Sequence, residues 1–150
     1  MGKTLVIKGA DFSAVSVDRL EDKVIDFTTA PIKNYNIAEH SGVVKLIAPT
    51  SGNPSFYEID CIGYDRLLIT CTGARLLFTN AALPSSSGSS SSGITITSYL
   101  ANTKADSYYG DYTGTNSAIN IPNNAKYLYV RKTMASSEDT TPSTATLKAV

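Results

Sequence analysis

The sequence has no tryptophan, one histidine, two cysteines and few charges, and each shortage closes a class of function. With His40 as the sole histidine, one chain cannot build a multi-histidine metal site, and His40 itself reads as a turn residue in AEHSG. Cys61 and Cys71 have no Cys or His at zinc-ligand spacing, so no metal site is expected. Two cysteines are also too few for the disulfide framework of a small secreted domain. Both lie in strand-like runs and read as buried thiols, with a single disulfide as the alternative. Charged residues make up 17%, below the roughly 25% usual for soluble domains, and 13 basic residues balance 13 acidic ones. No basic stripe exists to neutralise phosphates, which excludes nucleic acid as a partner. No run approaches the roughly 20 apolar residues of a membrane span, so membrane insertion is not expected. Residues 4–7 are too short an apolar run for a signal peptide, and Val6 stands where myristoylation needs Ser or Thr. The chain is expected to be made and folded in a cytoplasm. Phosphate-binding, dinucleotide-binding and nucleophile-elbow glycine motifs are missing, and no cofactor is expected.

What is present is β-type. Residues 4–8 (TLVIK), 43–48 (VVKLIA), 56–62 (FYEIDCI), 66–72 (RLLITCT), 75–79 (RLLFT), 94–99 (ITITSY), 118–121 (AINI) and 126–131 (KYLYVR) are short runs rich in Ile, Val, Thr, Tyr and Phe. Residues 56–62 and 66–72 predict a hairpin about Gly63-Tyr64-Asp65, with Ile59, Cys61, Leu67, Ile69 and Cys71 facing the core. Gly73 predicts a break before the next strand. Residues 16–27 place Val17, Leu20 and Val24 near helical spacing with Ser16 as a possible N-cap, but also read as two strands about Glu21-Asp22, the preferred reading. Turn signals between short strands predict an all-β fold, an antiparallel β-sandwich of jelly-roll-like form.

Residues 84–93 read PSSSGSSSSG. The three short strands that follow carry too few large apolar residues to cover a core alone, so this stretch reads as a flexible loop inside one domain. Lengthening such a loop costs only about 0.6 kcal/mol per doubling. The expected organisation is an N-terminal strand or anchor segment over residues 1–26, a sandwich over 27–134 and a polar C-terminal tail over 135–150.

Chemistry-bearing clusters are sparse. Glu58 and Asp60 share a strand face, which alternation explains as an exposed polar face rather than as paired catalytic acids. The remaining feature is residues 107–116, SYYGDYTGTN. Tyr108, Tyr109 and Tyr112 offer rigid amphipathic rings, while Asp111 and Asn116 offer hydrogen bonds, a composition suited to a glycan or a protein partner. A packed surface loop or a contact to a sister subunit explains the same residues more economically. No catalytic set is apparent, and the chain is not read as an enzyme.

Residues 121–130 (IPNNAKYLYV) resemble a recurring phrase of small β-sandwich domains in phage fibre and tail proteins. GYD with RLLIT, then RLLFTN, is similar to the central strands of those domains, and residues 5–13 (LVIKGADFS) resemble the opening of proteins from Bacteroides phages, including crAss-like phages. The resemblance spans residues 4–17 and 56–131, and its motifs are structural. It implies a virion component assembled in the bacterial cytoplasm: a head fibre, a capsid decoration or a tail fibre part. Such a part would form a homo-oligomer, a trimer in the first instance, and would touch other virion proteins, with a host surface glycan as a further partner. The flanks supply the expected assembly contacts: Leu5, Ile7 and Phe12 at one end, Leu147 and Val150 at the other.

Overall fold

The computed structural model describes residues 20–49, 53–85 and 93–149. Leu5, Ile7, Phe12, Val150 and most of the serine stretch lie outside those residues. The strands are β1 Lys23–Val24, β2 Ile32–Lys33, β3 Asn36–His40, β4 Val43–Ile47, β5 Ser55–Asp60, β6 Arg66–Thr79, β7 Ile94–Thr95, β8 Tyr108–Asn120, β9 Tyr127–Thr133 and β10 Thr144–Lys148. One helical turn, α1 Lys104–Ser107, leads into β8. The architecture is an all-β antiparallel sandwich. Its larger sheet runs β1-β10-β6-β9-β5-β2 with β8 added on β6, and its smaller sheet runs β3-β4-β7. Strands after the serine stretch pair directly with strands before it. In the described part of residues 16–27 the only regular element is the two-residue β1.

The β3–β4 hairpin follows from its turn. Ser41 (φ 53°) and Gly42 (φ 80°) both take positive φ, the geometry of a two-residue type I′ loop whose twist matches the flanking strands. His40 is the last residue of β3 and is exposed.

β6 organises the larger sheet. Leu67 pairs with both Ile119 and Leu147, and Leu77 pairs with both Tyr108 and Tyr129. β8 therefore lines one side of β6 throughout, while the other side is taken first by β10, to Thr70, and then by β9, from Leu76. Gly73 sits at the changeover with φ 62°. It does not break the strand, as the sequence suggests, but forms a bulge inside one 14-residue element. Its backbone is satisfied by side chains: the N–H donates to Thr113 Oγ1 at 2.9 Å, and the carbonyl accepts from Arg131 Nη2 at 2.9 Å.

The expected hairpin of residues 56–62 and 66–72 is not formed. β9 lies between β5 and β6, with Val130 paired to Tyr57 on one side and to Leu76 on the other. The reason is that β9 is apolar on both faces. Leu128, Tyr129 and Val130 are all fully buried, and such a strand is satisfied only at an interior position of a sheet covered on both sides. The face assignment survives, because Ile59, Cys61, Leu67, Ile69 and Cys71 all enter one core.

There are two cores. The inner one lies on the concave face of the larger sheet and takes Leu76, Phe78, Leu128 and Val130. The second lies between the sheets and takes the alternate residues Phe56, Leu77 and Tyr129, with Ile37, Leu46 and Ile96. Tyr129 also carries a polar tie: its hydroxyl donates to Glu58 Oε2 at 2.6 Å and accepts from the Leu83 N–H at 2.9 Å. Glu58 is thus half-buried and engaged, while Asp60 is exposed.

The C-terminal part is not a free tail. β10 lies between β1 and β6, and Leu147 is fully buried against this chain's own core. Leu147 is therefore no outward assembly contact. The alternation in TATLK, with Ala145 and Leu147 inward, is masked by the polar residues around it. Leu147→Ala should cost about 2–5 kcal/mol of unfolding free energy in denaturant titration, as for other core truncations. A cost within about 0.5 kcal/mol would place the side chain at the surface.

Candidate functional site

The residues from Asn102 to Asn123 build a concavity beside β8. α1 begins after Thr103, whose Oγ1 donates to Asp106 Oδ2 at 3.2 Å, and Asn102 Nδ2 donates to the same oxygen at 3.1 Å. The Asn102 N–H donates to the buried Ser107 hydroxyl at 2.9 Å, which fixes the entry into β8. Residues 107–116, read as a loop, are almost entirely strand, because pairing to β6 overrides the poor strand propensity of Gly, Asp and Asn.

The pairing is irregular, and that irregularity makes the site. Leu76 pairs with Tyr109 but Ala74 pairs with Tyr112, a shift of one residue. A regular strand would send Tyr109 and Tyr112 to opposite faces. The bulge puts both on the inner-core side, with ring centroids 5.7 Å apart and planes at 85°. Tyr109 meets Phe78 edge-on as well, at 6.4 Å. Asn102, Asp106, Tyr109, Tyr112, Asn120 and Asn123 line an open cleft of about 530 Å³. Burial first, then the neighbouring Asp106 carboxylate and Tyr112 phenol, raise the Tyr109 pKa above that of an exposed phenol.

The five candidate contact residues do not converge. Tyr109 and Tyr112 share the cleft. Tyr108 packs against the core between the sheets, where burial raises its pKa. Asp111 is exposed and lies next to Gly73. Asn116 sits at a positive-φ position (49°), and its N–H donates to Thr70 Oγ1 at 2.8 Å. Asn102, Asp106, Asn120 and Asn123 complete the cleft, yet nothing in their local sequence marks them. The turn of α1 before β8 brings Asn102 and Asp106 to the rings, and the end of β8 with the turn after it brings Asn120 and Asn123.

Chemically the cleft offers aromatic contact, amide donors and acceptors, and one carboxylate already held by Asn102 and Thr103. This suits hydrogen bonding to a polyhydroxylated or polar ligand. Among the described residues no three His, Cys, Asp or Glu side chains gather as a metal set. The chain matches no protein-family model, no curated protein and no solved structure.

Cys61 and Cys71 are buried free thiols, and Cys71 Sγ donates to the Tyr112 carbonyl at 3.3 Å. Burial, with the Asp60 charge second, pushes the Cys61 thiol up to about 12 from its ordinary 9.0. Because the folded state favours the neutral thiol, this contribution to stability is complete below pH 9.0 and is lost as pH rises toward about 12. Neither thiol should react with a disulfide reagent at mildly alkaline pH until denaturant unfolds the chain. Rapid labelling of the folded protein would contradict their burial.

Proposed function

We propose that the chain is a non-enzymatic structural component of a bacteriophage particle, which works by binding further copies of itself and docking to the particle. The observation that carries this reading is the free edge of β8. Among the described residues β8 pairs only with β6, so its other edge has no strand partner there. Sheet edges are usually blunted by shortness, Lys, Pro or bulges. The edge strands β1, β2 and β7 are two residues long and β3 five, whereas the longer β8 has no Lys or Pro and only one charge, Asp111, and its bulges leave Ser117–Asn120 as a regular stretch of edge. An edge of that kind suits strand addition by another chain. The phage setting rests on the resemblance of residues 4–17 and 56–131 to fibre and tail domains.

A second reading draws on the tyrosine cleft, whose rings and amides fit a glycan-binding adhesion module on a phage or bacterial surface. Tyr109→Ala and Tyr112→Ala should each weaken sugar binding by about 1 kcal/mol or more if the rings contact the ligand. A glycan array blank for the wild type removes this reading.

For the assembly reading, light scattering after size exclusion should give the mass of a trimer. Thr115→Lys, an exposed change on β8, should shift the mass toward the monomer while the fold is kept. A wild-type monomer at every concentration would overturn self-association.

A further inference from the structure

β6 and β9 bring two arginines side by side. The β6–β9 ladder ends at Leu76–Val130, and Arg75 and Arg131 come next along their strands and line one pocket. Like charges at opposed positions destabilise a sheet, and Arg131 is only 6% exposed. A buried charge normally has an ionic partner. The ion pairs among the described residues are Lys33–Glu58, Lys104–Glu39 and Lys148–Asp22, and neither arginine takes part.

Their hydrogen bonds go to uncharged oxygens. Arg131 donates from Nε to Thr140 Oγ1 at 3.3 Å and from Nη2 to the Gly73 carbonyl at 2.9 Å. Arg75 donates from Nε to the Gly110 carbonyl at 3.4 Å and from Nη1 to the Ile37 carbonyl at 3.0 Å. These bonds fix the two planes but use two of the five N–H groups on each. Burial first, and Arg75 second, lower the Arg131 pKa, against smaller opposing effects of Tyr108, Asp111 and Glu138. Asp111 and Glu138 are the carboxylates that act on Arg131, and neither is ion-paired with it. A pocket of about 350 Å³ opens at this point, lined by both arginines with Thr72, Thr140, Asp111 and Glu138.

We propose that this pocket binds the carboxylate of a small ligand, held by the forks of Arg75 and Arg131, with a sugar acid as the fuller occupant. Guanidinium forks match the planar geometry of a carboxylate. The Asp111 and Glu138 carboxylates at the pocket favour a monoanion over a phosphate dianion. The threonine hydroxyls suit the neighbouring hydroxyls of a sugar acid. Arg75 and Arg131 alternate with Leu76 and Val130 along their strands, so they lie on the face opposite the tyrosine cleft. The site stands apart from both readings of function given above.

The test is an amide NMR titration of the full chain at fixed ionic strength with glucuronate, acetate, glucose and inorganic phosphate. Glucuronate and acetate should shift the Gly73, Gly110 and Arg131 amides saturably, and glucose should not. Tighter binding of glucuronate supports a sugar acid, whereas equal binding supports a site that reads the carboxylate alone. Arg75→Gln should weaken binding about tenfold or more with the spectrum otherwise kept. If that variant fails to fold, Arg75→Lys keeps the charge, loses the fork and should show the same loss. Absence of a saturable shift, unchanged binding by the variant, or a preference for phosphate overturns the proposal.

Discussion

One strand that changes partners halfway sets the rest of the structure. β6 keeps β8 on one side along its length but exchanges β10 for β9 on the other, and the exchange falls at Gly73. A strand can do this only if the backbone groups left over at the changeover are satisfied. Thr113 and Arg131 supply the missing partners. Glycine supplies the positive φ, and a Cβ there would also crowd Asp111 Oδ1 at 3.2 Å. From that point the second half of β6 is covered on both faces, with Leu76 and Phe78 in the inner core and Leu77 in the core between the sheets.

The same changeover places the functional surfaces. The bulges that accompany it turn Tyr109 and Tyr112 to one side and leave the tyrosine cleft open beside the Asn120 end of β8. They also free the space on the opposite face where Arg75 and Arg131 meet. β8 loses part of its regularity through this, and among the described residues it pairs with β6 alone.

Much of the fold was legible in the sequence, and the limit is physical. Period-two alternation assigned Ile59, Cys61, Leu67, Ile69 and Cys71 to the core, because alternation depends only on the strand itself. Pairing depends on distant strands, so the proximity of residues 56–62 and 66–72 suggested a hairpin that the doubly buried β9 displaces. Gly73 and the tyrosine segment were misread for the same reason, since a neighbouring ladder holds irregular sequence extended. Tyr109 and Tyr112 stood out by composition. Asn120 and Asn123 became part of the same cleft only through the fold, and the opposition of Arg75 and Arg131 needs the β6–β9 register.

On the assembly reading, another copy adds at the outer edge of β8. Concentration-dependent amide hydrogen exchange tests it most directly, because strand addition protects the outward N–H groups of one strand and leaves the buried ladders unchanged. Raising protein concentration should slow exchange within β8, Tyr108–Asn120, while β5, β6 and β9 stay protected throughout. Exchange in β8 that is independent of concentration, in a sample shown to be oligomeric, would place the contact elsewhere and contradict the account.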